Sequence, residues 1–172
     1  VWVTTPKVSE KSATVSVDVA LRDGSSEGLK AEISVLSRGG REAATAKGDF
    51  TGGKLKASLK IGSPALWSPE TPNLYTLRTR LIKNGKTVDE NLTRFGIRSI
   101  SFTKEKGFQL NGKTRKFKGV CLHHDLGSLG AAVNEAAIAR QIKIMKDMGC
   151  DAIRTSHNMP STMMMDLCDS LG

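Results

Sequence analysis

Two stretches decide how this sequence folds: Asp151-Ala-Ile-Arg154-Thr-Ser156-His157-Asn158-Met159-Pro160, close to the C-terminus, and Gly119-Val-Cys-Leu-His123-His124-Asp125, about 30 residues earlier. Each is a short apolar run ending in polar side chains able to do chemistry. The residues between them carry helical periodicity, and strand, helix, strand over such an interval is a βαβ unit. Its two strands run parallel, so their C-terminal ends point the same way. Arg154, His157 and His123 are therefore expected on one face, the face where parallel α/β architectures bind ligands.

Within that interval Asn134 is placed to cap a helix and Glu135 suits its first turn. Ile138, Ile142, Met145 and Met148 form an apolar stripe, and Gly149 is the stop. After the strand Asp151 to Arg154, Pro160 fits the first position of another helix, with Met164, Leu167, Cys168 and Leu171 on its buried side and Gly172 as its end. The run Met163 to Met165 is core filler rather than a copper site, because three consecutive side chains cannot share one helix face. Two strand-helix units cannot close a barrel, so the expectation is a fragment of a longer chain. Its open second strand invites pairing with a second copy.

Working toward the N-terminus, Phe108-Gln-Leu110-Asn111-Gly112-Lys113 with Arg115-Lys-Phe117-Lys reads as an Asn-Gly hairpin whose charges suit an exposed face. Residues 1 to 98 alternate with period two. Val15, Val17, Val19 and Leu21 share one face of a strand; Leu29, Ala31, Ile33 and Val35 repeat the pattern, as do Leu55, Ala57, Leu59 and Ile61. Turn chemistry separates the strands at Arg22 to Gly28, Arg38 to Gly40, Asp49 to Gly53 and Asn84-Gly85. With Val1 to Thr5, a weaker strand near Glu42 to Lys47, and Tyr75 to Ile82 and Thr87 to Phe95, this makes about seven strands, the signature of an immunoglobulin-like sandwich. Pro64, Pro69 and Pro72 place the Leu66 to Tyr75 segment at an edge or corner. Trp67 is expected to fill the end of the sandwich, an aromatic sugar platform being the alternative. The fold class is thus multidomain, β then α/β: a sandwich over 1–98 and the start of a (β/α)8 barrel over 99–172.

Composition narrows the functions. The net charge of +9 gathers most densely at Lys113, Arg115, Lys116 and Lys118, but aromatics are only 5% and no nucleic-acid-binding motif is present, so a solvated face rather than a nucleic-acid partner is expected. No apolar run approaches the ~20 residues of a membrane helix, and no membrane partner is expected. Val1 opens directly into strand-like sequence without a basic-then-apolar leader, which leaves the compartment open. Cys121, Cys150 and Cys168 are widely spaced in apolar segments and read as buried thiols, not a disulfide framework. His123, His124, Asp125 and His157 could be taken for metal ligands. Adjacent strand residues point to opposite faces, however, so His123 and His124 share an ion only if the strand has already broken. A structural hydrogen-bonded pair is the alternative reading of His123 and His157, but their matched placement, each just past the C-terminal end of a parallel strand, favours ligand contact.

The sequence resembles glycoside hydrolase family 2, whose members include β-galactosidases, β-glucuronidases and β-mannosidases. Leu66-Trp-Ser-Pro-Glu-Thr-Pro-Asn-Leu-Tyr75 and Arg94-Phe-Gly-Ile-Arg98 are similar to the end of its middle domain. Phe108-Gln-Leu-Asn-Gly112 and Phe117-Lys-Gly-Val120 resemble the lead-in to its barrel, and Asp151-Ala-Ile-Arg154-Thr-Ser-His157 resembles its signature. The resemblance implies retaining hydrolysis of a terminal β-glycoside, most simply a β-galactoside, by an acid/base Glu and a nucleophile Glu. It places both beyond the C-terminus, so the fragment alone is expected to be inactive. The family's acid/base occurs in an Asn-Glu pair, but Asn134-Glu135 opens a helix and sits too early.

By motif position, His123 and His157 would bind sugar hydroxyls and Arg154 would keep the nucleophile ionised, with His124, Asp125 and Asn158 as weaker substrate-binding candidates. The family's signature often has Tyr-Pro directly after its His, where Asn158-Met159-Pro160 stands here, and an Arg before the first His is Leu122; both changes are expected to border the sugar. No cofactor is implied, and an activating cation in the full-length enzyme stays open. The competing reading is a non-catalytic β-sandwich module that binds carbohydrate or protein.

Overall fold

The computed structural model describes residues 1–22 and 26–172. Seven strands form two facing sheets: β1 (Trp2–Val8), β2 (Ser12–Ala20), β3 (Leu29–Leu36), β4 (Glu42–Asp49), β5 (Lys54–Gly62), β6 (Leu74–Lys83) and β7 (Lys86–Gly96). One sheet has the order β1-β2-β5, the other β4-β3-β6-β7. The alternation in the sequence becomes the core. Val15, Val17, Ala31, Ile33, Val35 and Leu77 are almost completely buried between the sheets, and burying a valine, isoleucine or leucine side chain contributes roughly 1.5–3 kcal/mol. This is an immunoglobulin-like sandwich with its fourth strand beside the third. The reason is local: the turn that pairs Ser37 N–H with the Arg41 carbonyl (2.8 Å) closes β3 and β4 into a hairpin.

Two hairpin turns expected from Asn-Gly pairs are present. Asn84-Gly85 joins β6 to β7, and Asn111-Gly112 joins β9 (Gly107–Leu110) to β10 (Lys113–Thr114), each with positive φ at both residues, the conformation these residue types tolerate best. The expected turn from Arg22 to Gly28 falls partly on residues 23–25, outside the described residues. The second hairpin is shorter than its sequence suggests, and a strand that the alternation did not reveal, β8 (Ile100–Thr103), pairs with β9. Tyr75 is the second residue of β6, and its hydroxyl accepts from the Ala65 N–H at 2.9 Å, the tyrosine-corner contact of such sandwiches.

The C-terminal part is two strand-helix units: β11 (Gly119–Leu122), α1 (Glu135–Asp147), β12 (Ala152–Thr155) and α2 (Thr162–Leu171). Asn134 caps α1 by accepting from the Ala137 N–H (3.0 Å), with Glu135 in the first turn. Ile138, Ile142 and Met145 are buried as expected, whereas Met148 is the C-cap and points to solvent. Pro160 is not the first residue of α2. Ser161 caps that helix through the Met164 N–H (3.2 Å), and the proline precedes it. Met164 is buried, with Leu167, Cys168 and Leu171 half-buried against α1 and β12.

Trp67 does not fill the end of the sandwich. It lies at the joint with the strand-helix units, where its indole N–H donates to the Asp169 carbonyl in α2 (2.7 Å) and Arg98 stacks on its ring at 4.4 Å. The proline corner turns it outward, and Gly96 leaves it room: a Cβ there would stand 2.9 Å from the indole. Lys146 of α1 donates to the Pro69 carbonyl (2.9 Å), and Asn111 donates to the Trp67 carbonyl (3.0 Å).

Arg115, expected on a solvated face, spans the same joint. Its guanidinium donates to Glu70 of the proline corner at 2.5 and 3.1 Å and to Asp151 at 2.8 and 3.1 Å. Arginine is used here because its planar fork can serve two carboxylates at once. Asp151 also accepts from the Lys118 N–H (2.8 Å), which ties the starts of β11 and β12 together.

The guanidinium holds the Glu70 carboxyl down at about 2. Burial works against ionisation of Asp151, but the Lys118 N–H and Arg115 outweigh it and keep this carboxyl below its ordinary value. Arg115→Met is expected to lower the unfolding free energy at neutral pH by about 2 kcal/mol, mostly from stranding the enclosed Asp151, since Glu70 is open to water and screened. A lowered native pKa makes this contribution complete above the ordinary carboxylate range of about 4, and it is lost as pH falls toward about 2. Urea titrations of both proteins at pH ~7 and ~3 should show the penalty shrinking in acid; an equal penalty at both would assign it to packing.

Candidate active site

The site is built on the parallel pair β11 and β12, with Gly119 opposite Ala152, Cys121 opposite Arg154 and Leu122 opposite Thr155. Gly119 is required by close approach, because a Cβ there would lie 2.5 Å from the Ala152 carbonyl oxygen. Alternation sends Leu122 and Ile153 into the apolar cluster with Ile138, Ile142 and Met164. The other face carries Cys121 and Arg154 and, just past the strand ends, His123, Ser156 and His157.

On that face the side chains interlock. Arg154 Nη1 donates to Ser156 Oγ at 2.7 Å and faces Cys121 Sγ at 3.8 Å, while Nη2 lies 3.3 Å from His157 Nδ1. The His123 and His157 rings meet edge to face with centroids 5.8 Å apart. Ser156 is buried, its N–H bonded to the Leu122 carbonyl (2.9 Å), and the Ser156–His157 peptide is cis. Arg154, His157 and His123 are thus brought together.

The weaker candidates stand elsewhere. His124 has φ of 54°, which breaks the strand and turns its ring away, so that Nε2 bonds the Ala131 carbonyl at 3.0 Å. Asp125 accepts from the Gly127 N–H (2.8 Å), and its own carbonyl accepts from Gln141 (3.0 Å). These two residues shape the loop between β11 and α1. Asn158 is exposed and lines a small cleft together with His124, Ser156, Met159 and Met164. Leu122 does not border this face either, since it points to the helices. Among the described residues no three His, Cys, Asp or Glu side chains are gathered to hold a metal ion.

Two residues on this face were not singled out from sequence, Cys121 and Ser156. Each lies two positions from one that was, His123 and Arg154, so strand periodicity carried the signal. Nor is Cys121 a buried thiol: it is exposed, and Cys150 and Cys168 are half-buried. The Ser156 hydroxyl, and after it the Arg154 guanidinium, lower the Cys121 thiol pKa, whereas burial raises that of Cys168.

A sandwich leads into two parallel strand-helix units with a polar cluster at their C-terminal ends, and comparison with known proteins shows the family to which this arrangement belongs. Residues 1–98 match Glycosyl hydrolases family 2, and residues 101–172 match Glycosyl hydrolases family 2, TIM barrel domain. The chain belongs to glycosyl hydrolase family 2. It is 43% identical to Beta-galactosidase BoGH2A of Bacteroides ovatus over 99% of the chain and 21% of that protein. It is 33% identical to a Beta-glucuronidase of Bacteroides fragilis over 96% of the chain and 25% of that protein. A crystal structure of a family 2 member from Bacteroides cellulosilyticus superposes with a TM-score of 0.95 at 36% identity, covering 99% of this chain and 24% of that one. The chain therefore spans about a fifth of the length of the curated relatives it matches.

The thiols should separate by reactivity, because the thiolate is the nucleophile. At neutral pH Cys121 is expected to react first with iodoacetamide, followed by peptide mass mapping, and Cys168 last. Arg154→Met should slow Cys121 by several-fold. Equal labelling of the three would contradict the environment described here.

Proposed function

We propose that this chain is the sandwich and first barrel segment of a retaining β-glycosidase acting on terminal β-galactosides. The observation that carries this reading is the placement of His123, Arg154 and His157 together at the C-terminal ends of two parallel strands in a family 2 chain. In this role the two histidines hydrogen-bond sugar hydroxyls, with most effect as the ring approaches its oxocarbenium-like transition state. Arg154 supplies a fixed positive charge beside the nucleophile and favours its ionised form.

A galactoside is favoured over a glucuronide for two reasons. The relative named as a β-galactosidase is more similar than the β-glucuronidase from Bacteroides fragilis. In addition, a glucuronide carries a carboxylate that calls for a cation, and the guanidinium on this face is already engaged by Ser156 and His157. The binding-module reading loses support, because Trp67, its sugar platform, is buried at the joint.

Retaining hydrolysis needs two carboxyl groups roughly 5–5.5 Å apart across the sugar. No glutamate occurs in β11, β12 or the residues just after them, and Glu135 lies in the first turn of α1. The 172-residue chain alone is accordingly expected to leave an aryl β-galactoside intact. In the parent enzyme His157→Ala should lower kcat/KM by ~100-fold or more. Steady-state assays on aryl β-galactosides and aryl β-glucuronides test both points. Turnover by the chain alone, an unchanged kcat/KM, or preference for the glucuronide would each refute the corresponding part of the reading.

A further inference from the structure

Ser156 has no assigned part in sugar binding, yet it is the most enclosed polar group of the cluster, at 6% exposure. Its hydroxyl accepts from Arg154 Nη1 at 2.7 Å, and the same hydroxyl lowers the pKa of the Cys121 thiol. Arg154 in turn meets His157 Nδ1 at 3.3 Å. A guanidinium has five N–H donors and no acceptor. The contact can therefore be a hydrogen bond only if Nδ1 is the acceptor, which puts the ring proton on Nε2.

We propose that Ser156 is a positioning residue: through Arg154 it holds His157 as the Nε2–H tautomer, so that this imidazole meets its ligand as a hydrogen-bond donor. This deepens the glycosidase reading by assigning the direction of one bond, from His157 Nε2–H to a sugar oxygen. A ring free to exchange tautomers presents the wrong one part of the time, and the bound geometry then has to select the right one. Ser156→Ala leaves the guanidinium without its buried acceptor and frees it to leave Nδ1. Ser156→Thr keeps the hydroxyl.

The chain contains three histidines, so selective ¹⁵N-histidine labelling and long-range ¹H–¹⁵N correlation can assign each ring. At mildly alkaline pH, where imidazoles are neutral, His157 should show the widely separated ring shifts of a single Nε2–H tautomer. Ser156→Ala should move them toward the averaged values of histidine in a short unstructured peptide, and Ser156→Thr should restore the separation. Averaged shifts in the unsubstituted chain, an Nδ1–H signature, or shifts indifferent to Ser156→Ala would each overturn the proposal. Arg154→Met provides a second route: if Ser156→Ala fails to fold, loss of the single tautomer in Arg154→Met supports the lock and its persistence refutes it.

In the parent enzyme Ser156→Ala should lower kcat/KM by ~10-fold, the scale of one charge-assisted hydrogen bond, with recovery in Ser156→Thr. The spectroscopic result does not depend on turnover. An inactive parent enzyme would count against the glycosidase reading and leave the tautomer result standing, whereas an averaged tautomer in an active enzyme would count against Ser156 alone.

Discussion

The fork of Arg115 between Glu70 and Asp151 is the constraint on which the arrangement rests. One carboxylate belongs to the proline corner of the sandwich and the other stands at the start of β12, so a single guanidinium refers the second barrel strand to the sandwich. Asp151 then takes the Lys118 N–H and aligns β11 beside β12. From that alignment follow the opposition of Cys121 and Arg154 and the position of every side chain at the strand ends. Trp67 and Lys146 brace the same joint from the helix side. Planar ion pairs suit this work because they fix angle as well as distance.

At the strand ends, the chemistry of the cluster is governed by what arginine cannot do. It cannot accept a hydrogen bond, so each neighbour within reach must present a lone pair: the Ser156 hydroxyl, the Cys121 sulfur and His157 Nδ1 all do so. The face is consequently pre-ordered before any ligand arrives, and pre-ordered polar groups are what stabilise developing charge without reorganisation cost.

Much of this was legible in the sequence, because period two and Asn-Gly turns are local signals. The valines of β2 and the turns at Asn84 and Asn111 needed no tertiary information, nor did the Asn134 cap. What escaped depended on contacts distant in sequence. Trp67 looked like a core residue of its own sandwich because nothing nearby announces that Asp169, about a hundred residues later, accepts its N–H. Arg115 looked like one charge among several, and only the fold brings Glu70 and Asp151 to it. Within the site, Arg154, His157 and His123 could be grouped from the strand pattern. The loop contacts of His124 and Asp125 could not be grouped in this way, since a positive φ at His124 cannot be inferred from its neighbours, while Ser156 shares the alternation of Arg154.

The joint also bears on how such proteins exchange parts. Its determinants are scattered through Trp67, Glu70, Gly96, Asn111, Arg115, Lys146 and Asp151, and they complement one another in shape and charge. A sandwich moved by recombination onto another family member's barrel would carry Trp67, Glu70 and Gly96 with it and leave Arg115, Lys146 and Asp151 behind. Joining such a sandwich to a different barrel therefore calls for matched side chains on both sides of the seam, not for two folded pieces alone.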